Sequence, residues 1–222
     1  MSKNVELIKQ KLNEADVIFF DLDGTLIDTE HLYFRFWKEA CAFFGYEMSD
    51  EEALSMRSRD SQSGMEYLDK ISKGKLDYYR VKEKRIELMS LFLKTHPIKM
   101  KDGARELLRK LRKENKKLYV VTANTVEKAT RIITSLRLQI YFEKVISAKD
   151  VKRGKPFPDV YIEGAKSIGV NPKDIVVFED SPNGLKSSYS AGCFTIMAED
   201  LTPYTEDMDY VDGAVSSLEE LL

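Results

Sequence analysis

The residues best suited to chemistry lie directly after a short apolar run near the N-terminus. Asp21 and Asp23 follow residues 17–20, and Gly24 comes next. The run is rich in aromatic and β-branched residues, which predicts a buried strand. Carboxylates at the exit of a buried strand are costly unless a cation meets them. Hard divalent cations such as Mg²⁺ take carboxylate and carbonyl oxygens, so we predict a Mg²⁺-assisted site at this strand end.

Later segments bring further polar groups to the ends of predicted strands. Thr122 ends the second predicted strand, and Glu179 and Asp180 end the fourth. Lys155 lies between them in a turn that Gly154 and the neighbouring prolines fix. Four carboxylates, a hydroxyl and an ammonium group together suit a phosphate dianion bound beside Mg²⁺.

This set of side chains predicts phosphoryl transfer. Asp21 would attack phosphorus and carry an aspartyl-phosphate. Asp23 would protonate the leaving oxygen and then deprotonate water. Lys155, Thr122 and loop amides would contact the phosphate oxygens. The candidate phosphate or substrate contacts in the loops are Gly24, Thr25, Ala123 and Asn124.

Four segments, in order along nearly the whole chain, resemble the signatures of the haloacid dehalogenase-like (HAD) hydrolase superfamily. They are Asp21-Leu-Asp-Gly-Thr-Leu, Thr122, Gly154-Lys-Pro-Phe-Pro-Asp and Phe178-Glu-Asp-Ser-Pro-Asn-Gly. The subgroup they resemble most contains phosphoglycolate phosphatase-like and β-phosphoglucomutase-like enzymes.

The resemblance implies a role for each matching residue. Asp21 would be the nucleophile and a Mg²⁺ ligand, and Asp23 the general acid and base with its backbone carbonyl on the metal. Asp180 would bind Mg²⁺, with Glu179 binding directly or through water. Thr122 and Lys155 would hold the phosphoryl group.

Element order supports an α/β fold with an insertion. Helices and strands alternate from residue 97 onward, which predicts a parallel sheet. Residues 29–95 show helical periodicity and no convincing strand. With the resemblance, we predict a Rossmann-like parallel sheet flanked by helices, formed by residues 1–28 and 96–222. Residues 29–95 would form an inserted, all-helical cap domain that closes over the site and excludes water.

Candidate substrate contacts in the cap are Tyr33, Arg57 and Arg59. Either arginine would meet a substrate phosphate or carboxylate, and an exposed surface arginine is the alternative. Asp159 would either cap the helix that follows it or orient Lys155.

Composition narrows the partners. The formal net charge of −2 gives no reason to expect nucleic acid or an anionic membrane as a partner. No apolar run approaches the roughly 20 residues that span a bilayer. The two cysteines, Cys41 and Cys193, are far apart, which predicts reduced thiols and a cytoplasmic location. We expect a small phosphorylated metabolite as the partner and a monomer or weak homo-oligomer.

The chemistry alone does not separate a phosphatase from a phosphomutase. In the β-phosphoglucomutase subgroup a histidine downstream of the nucleophile usually supports the general acid, and here Tyr33 stands at the matching position. The residues after Thr122 also match that subgroup incompletely. We therefore predict a phosphatase, with a sugar phosphomutase as the alternative. A non-catalytic protein ranks last because Asp21 and Asp23 are both present. A dehalogenase ranks lower because Asp23 and the paired Glu179 and Asp180 suit a metal and phosphate better.

Overall fold

The computed structural model describes residues 2–57, 59 and 61–222, which form two compact units. One unit, the core unit, comprises Met1–Ile27 and Met100–Leu222. The other, the helical unit, comprises Asp28–Lys99. The insertion predicted from the sequence, residues 29–95, falls within the helical unit.

The core unit holds a six-stranded sheet with the order β3-β2-β1-β4-β5-β6. Every strand pair in it is parallel. The strands are β1 (Val17–Phe20), β2 (Lys117–Thr122), β3 (Phe142–Ser147), β4 (Ile175–Glu179), β5 (Phe194–Ala198) and β6 (Gly213–Val215). The predicted Rossmann-like sheet flanked by helices is confirmed.

The helices follow the periodic apolar segments. They are α1 (Val5–Glu14), α2 (Glu30–Phe43), α3 (Asp50–Ser55), α4 (Ser61–Ser72), α5 (Tyr78–Leu93), α6 (Ala104–Lys113), α7 (Val126–Ser135), α8 (Asp159–Ser167) and α9 (Pro182–Ser190). Short 3₁₀ turns span Pro172–Asp174 and Leu218–Leu221. In α6 the leucines at positions 107, 108 and 111 are buried, as its amphipathic pattern requires.

Strand β1 is buried along its whole length, and its side chains alternate between the two faces of the sheet. On one face Phe19 packs edge-on against Tyr119 and stacks with Tyr161 of α8. On the other face Phe20 stacks on Phe178 with ring centroids 4.8 Å apart. An apolar run without polar alternation is typical of a strand covered on both faces.

The chain order of the strands reverses at β1. Strands β2 and β3 continue on one side of it, and β4 to β6 lie on the other. In open parallel sheets the ligand crevice lies beyond the carboxyl ends of the strands at such a reversal. The residues that follow β1 and β4 therefore occupy the position at which a site is expected.

The helical unit has an apolar core of its own. Trp37 of α2, Leu68 of α4 and Tyr78 and Val81 of α5 belong to one buried cluster. A capping box begins α3, because the Ser49 and Glu52 side chains each accept from the other residue's backbone N–H. The described residues of this unit contain helices α2 to α5, in agreement with the helical periodicity of the sequence. The domain boundaries and the action of this unit as a cap stay predictions.

The two chain segments that join the units pair with each other. Ile27 and Met100 form an antiparallel bridge within the core unit. The Lys101 N–H donates to the Leu26 carbonyl at 3.0 Å. Within the helical unit, the Asp28 N–H donates to the Lys99 carbonyl at 2.9 Å. The helical segment therefore leaves the core unit and returns to it at adjacent points of the backbone.

Among the described helices, none has both the length and the apolar character needed to cross a bilayer. Cys41 and Cys193 are both buried, free thiols.

Candidate active site

The ends of β1 and β4 bring three carboxylates together. Asp21 follows β1, and its backbone N–H donates to the Phe178 carbonyl of β4 at 2.9 Å. Asp21, Glu179 and Asp180 are all buried, and one carboxylate oxygen of each lies within 4.8 Å of the others. Pairing of the two strands therefore gathers acids that are far apart in the sequence.

Lys155 supplies a buried positive charge to this group. Its Nζ donates to Asp21 Oδ1 at 2.6 Å and also to Glu179 Oε1. Burial alone would lower the pKa of the Lys155 ammonium, but attraction to the Asp21 and Glu179 carboxylates outweighs it and raises the pKa. Burial raises the pKa of the Asp21 carboxyl, and Lys155 opposes that shift. Lys155 thus holds its charge beside the candidate nucleophile.

Glu179 is held by donors on both oxygens. Oε1 accepts from the Tyr161 hydroxyl at 2.8 Å as well as from Lys155. Oε2 accepts from the Asp180 N–H at 3.2 Å and from the Ser181 hydroxyl at 3.3 Å. Burial, with Glu179 as a further cause, raises the pKa of the Tyr161 phenol, which favours its neutral, donating form. Glu179 is therefore a fixed anchor for Lys155.

Asp180 is packed against the turn that follows β1. Thr25 is fully buried, and its hydroxyl donates to Asp180 Oδ1 at 3.2 Å. Gly24 has φ +83°, and a Cβ at this position would lie 2.3 Å from Asp180 Oδ2. Only glycine combines this backbone conformation with such a close approach. Gly24 and Thr25, predicted as phosphate contacts, thus lie directly against the carboxylate of Asp180.

Asp23 meets residues from the end of β2. The Asn124 side-chain amide donates to Asp23 Oδ2 and, at 3.2 Å, to the Thr122 hydroxyl. Thr122 is buried at the end of β2, and Ala123 is exposed directly after it. The loop after β2 therefore lies beside the candidate general acid.

The described residues offer a good environment for a divalent cation. With Asp21, Glu179 and Asp180 ionised, Lys155 supplies positive charge to Asp21 and Glu179. Buried carboxylates without enough compensating charge are strongly destabilising. Oxygen ligands of this kind suit hard divalent ions. Asp21 and Asp180 would hold the ion, with the Asp23 carbonyl as the third protein ligand that the resemblance implies.

Side chains of the helical unit correct one prediction. Arg57 was predicted either to contact substrate or to be an exposed arginine, but its Nε donates to Glu30 at 2.8 Å and its side chain is 5% exposed. Arg57 therefore belongs to a buried ion pair that links α2 to the end of α3. Arg59 is exposed, with its Nε on the Ser55 carbonyl and its guanidinium over the Tyr67 ring.

The other two candidates outside the carboxylate cluster have structural partners. Tyr33 packs beneath the guanidinium of buried Arg85, 5.0 Å from its ring centroid. Asp159 opens α8 and forms two hydrogen bonds with Arg153, at 3.0 and 3.2 Å, instead of capping the helix or orienting Lys155. Both roles predicted for Asp159 were wrong, because Pro158 is the N-cap residue of α8 and Arg153 binds the Asp159 carboxylate.

Sequence reasoning missed Tyr161, Ser181 and Lys128 as contributors to the site. Tyr161 sits in an apolar helical segment, which is typical of a core residue, and Ser181 is a sufficient helix N-cap. Lys128 lies four residues after Asn124, and that helical spacing was the available signal.

Comparison with known proteins identifies the family. The pattern of the haloacid dehalogenase-like hydrolases matches residues 18–198. The "Phosphorylated carbohydrates phosphatase" of Thermotoga maritima is 30% identical over 181 residues, which cover 80% of this chain and 82% of the relative. "Hexitol phosphatase A" of Escherichia coli is 33% identical over 205 residues, 91% of each chain.

A solved structure agrees with these matches. The HAD hydrolase, family IA, variant 3 from Entamoeba histolytica superposes with a TM-score of 0.79 and 26% identity, covering 93% of this chain and 95% of that one. The predicted family and the predicted phosphatase-type enzyme agree with all of these findings. Because the family pattern and the relatives both span most of the chain, the protein belongs to the haloacid dehalogenase-like hydrolases.

Proposed function

We propose that the chain is a Mg²⁺-dependent phosphatase that hydrolyses a small phosphorylated carbohydrate or polyol through an aspartyl-phosphate on Asp21. The observation that carries the proposal is the buried group of Asp21, Asp180 and Glu179 with the Lys155 ammonium on Asp21 Oδ1. The names of the relatives support the substrate class, since they are phosphatases of phosphorylated carbohydrates and hexitols.

In the first step, an Asp21 oxygen forms a bond to phosphorus as the bond to the ester oxygen breaks. Asp23 delivers its proton to that leaving oxygen, so the alcohol departs neutral. In the second step, Asp23 takes a proton from water, the water oxygen bonds to phosphorus, and the Asp21 carboxylate is released. Lys155 and Thr122 hold the phosphoryl oxygens in both steps.

The metal supplies electrophilic charge stabilisation for the phosphoryl group when it is bound. Mg²⁺ suits an all-oxygen set of a few carboxylates with room for water and substrate phosphate.

Tyr33 and Arg59 stay candidate substrate contacts, whereas the buried ion pair of Arg57 with Glu30 argues against a direct contact between Arg57 and the substrate. The buried, unpaired cysteines support a reducing, cytoplasmic compartment. A monomer or weak homo-oligomer stays our expectation.

A screen of phosphorylated metabolites that measures released phosphate tests this function. We expect release with Mg²⁺ and none with excess EDTA. Because Asp21→Asn removes the nucleophile, it should lower turnover at least about a thousandfold, with unchanged circular dichroism. More than trace activity in that variant would reject the assignment of the nucleophile.

The same screen separates a phosphatase from a mutase. It would include β-glucose 1-phosphate with its bisphosphate primer, and both glucose 6-phosphate and free phosphate would be measured. Isomerisation that outpaces phosphate release would replace the phosphatase by the alternative. Turnover that is independent of any divalent metal would reject both.

A further inference from the structure

The Asn124 side chain lies between a carboxylate and an ammonium group. Its Nδ2 donates to Asp23 Oδ2, and its Oδ1 accepts from Lys128 Nζ at 2.7 Å. The Asn124 backbone N–H also donates to the Thr122 hydroxyl at 3.1 Å. The asparagine is therefore tied to β2 through its backbone and to two charged groups through its side chain.

Lys128 determines which end of the amide faces Asp23. An ammonium group only donates hydrogen bonds, so it requires the amide oxygen on its side. The amide NH₂ must then face Asp23. Lys128 is itself placed by the first turn of α7, where its backbone N–H donates to the hydroxyl of the N-cap residue Thr125 at 3.3 Å.

The orientation of the amide also determines where Asp23 can carry its proton. Because the Asn124 NH₂ only donates, the Asp23 oxygen that it contacts must accept. In the protonated acid the proton then lies on Oδ1. Oδ1 would then deliver the proton to the leaving oxygen of the ester, while Oδ2 stays bound to the amide.

We propose that Asn124, oriented by Lys128, is the positioning residue for the general acid Asp23, which rests on the proposed phosphatase function. Asp23, Asn124 and Lys128 all lie in the core unit, so this support is built from the sheet and α7. It would serve the purpose that a histidine serves in the β-phosphoglucomutase subgroup, where this chain has Tyr33.

The test is the dependence of kcat/KM on the leaving group, which reports the step that forms the aspartyl-phosphate. The substrates are p-nitrophenyl phosphate, whose leaving group needs no proton, and alkyl phosphates, whose leaving groups do. Asn124→Ala should lower kcat/KM about 10- to 100-fold for alkyl phosphates and less than about 3-fold for p-nitrophenyl phosphate.

Variants of Lys128 test the role of the amide orientation. Lys128→Met should reproduce the pattern of Asn124→Ala with a smaller loss of kcat/KM, about 2- to 5-fold on alkyl phosphates, because the Asn124 amide is then free to rotate by 180°. Lys128→Arg keeps a hydrogen-bond donor at this position and should retain wild-type kcat/KM. Arg131→Met is the matched control on the same helix and should leave both substrates unchanged.

The outcomes separate this inference from the function on which it rests. A wild-type chain that releases no phosphate from any ester in Mg²⁺ would reject the phosphatase itself. An active wild type with equal losses on both substrate classes would make Asn124 a phosphate contact and overturn the inference. Lys128 is exposed, so loss of folding would not complicate its variants.

Discussion

At the scale of single residues, Lys155 connects the chemistry of the site to the stability of the chain. Its ammonium lies between Asp21 and Glu179, and all three groups are almost completely removed from water. Breaking a buried ion pair by removing one partner leaves uncompensated charge, which is more costly than the net value of the pair. Lys155 therefore stabilises the buried carboxylates in addition to the phosphate binding that we propose for it.

We expect Lys155→Met to destabilise the metal-free protein by about 3–5 kcal/mol, because two buried carboxylates lose their cation. Urea unfolding in EDTA, followed by circular dichroism, measures the change. Lys152→Met is the matched control, since Lys152 is exposed in the same loop, and should shift stability by less than about 0.5 kcal/mol. A loss below about 1 kcal/mol for Lys155→Met would contradict the ion-pair network.

The reactive acids could be predicted residue by residue, whereas their supporting partners could not. A charged residue directly after a buried apolar run is costly unless a cation or hydrogen bonds compensate its charge. This is the signal that identifies Asp21, Asp23, Glu179 and Asp180. Tyr161 carries no such signal, because it is ordinary in its local context. Its role depends on which elements of the fold lie side by side, and spacing within one segment does not contain that information.

At the scale of elements, the turn after β1 and the start of α9 are shaped around carboxylates. Ser181 caps α9 by accepting from the Gly184 N–H at 3.1 Å, with Pro182 at the first helical position. A Cβ on Gly184 would lie 2.0 Å from the Glu179 carboxylate. The first turn of α9 therefore approaches the site so closely that a glycine is required there.

We expect Gly184→Ala to destabilise the protein by about 1–3 kcal/mol, as overpacking typically does. The sign of the change in stability is informative, because replacing glycine by alanine in a helix would otherwise stabilise the protein by roughly 1 kcal/mol. Ser190→Ala, at the exposed end of the same helix, is the control. Denaturant unfolding gives both values, and a stabilised Gly184→Ala variant would show that Glu179 moves aside at little cost.

Elements differed in how well the sequence predicted them. The apolar runs of β1, β2 and β4 were located correctly, because buried parallel strands have nearly continuous hydrophobic sequences. The short edge strand β6, Gly213–Val215, was missed because three small or β-branched residues show no periodicity. β6 forms a strand because it pairs with β5, and the three residues of β6 alone do not reveal that pairing.

At the scale of the whole molecule, each compact unit contains one buried thiol. Cys41 lies in the helical unit and Cys193 in the core unit. Burial raises the pKa of each thiol to about 12. A thiol is nucleophilic as the thiolate, so both should be inert while their units stay folded.

We expect no reaction of the native protein with Ellman's reagent at pH 8, far below both thiol pKa values, and modification of both thiols in denaturant. Single-cysteine variants, Cys41→Ala and Cys193→Ala, would leave one reporter in each unit. The denaturant concentration at which each thiol becomes reactive then measures the opening of its own unit. Rapid labelling of either thiol under native conditions would contradict the described packing.

The pairing of the backbone beside Ile27 and Met100 has a consequence for how such an enzyme diversifies. Both junctions of the intervening segment lie at neighbouring peptide groups. The entropic cost of closing the segment between them therefore grows only slowly with its length. A foreign segment spliced in there would leave the β-sheet register intact. The sequence between the junctions can then change without altering the strands that position Asp21 and Asp180.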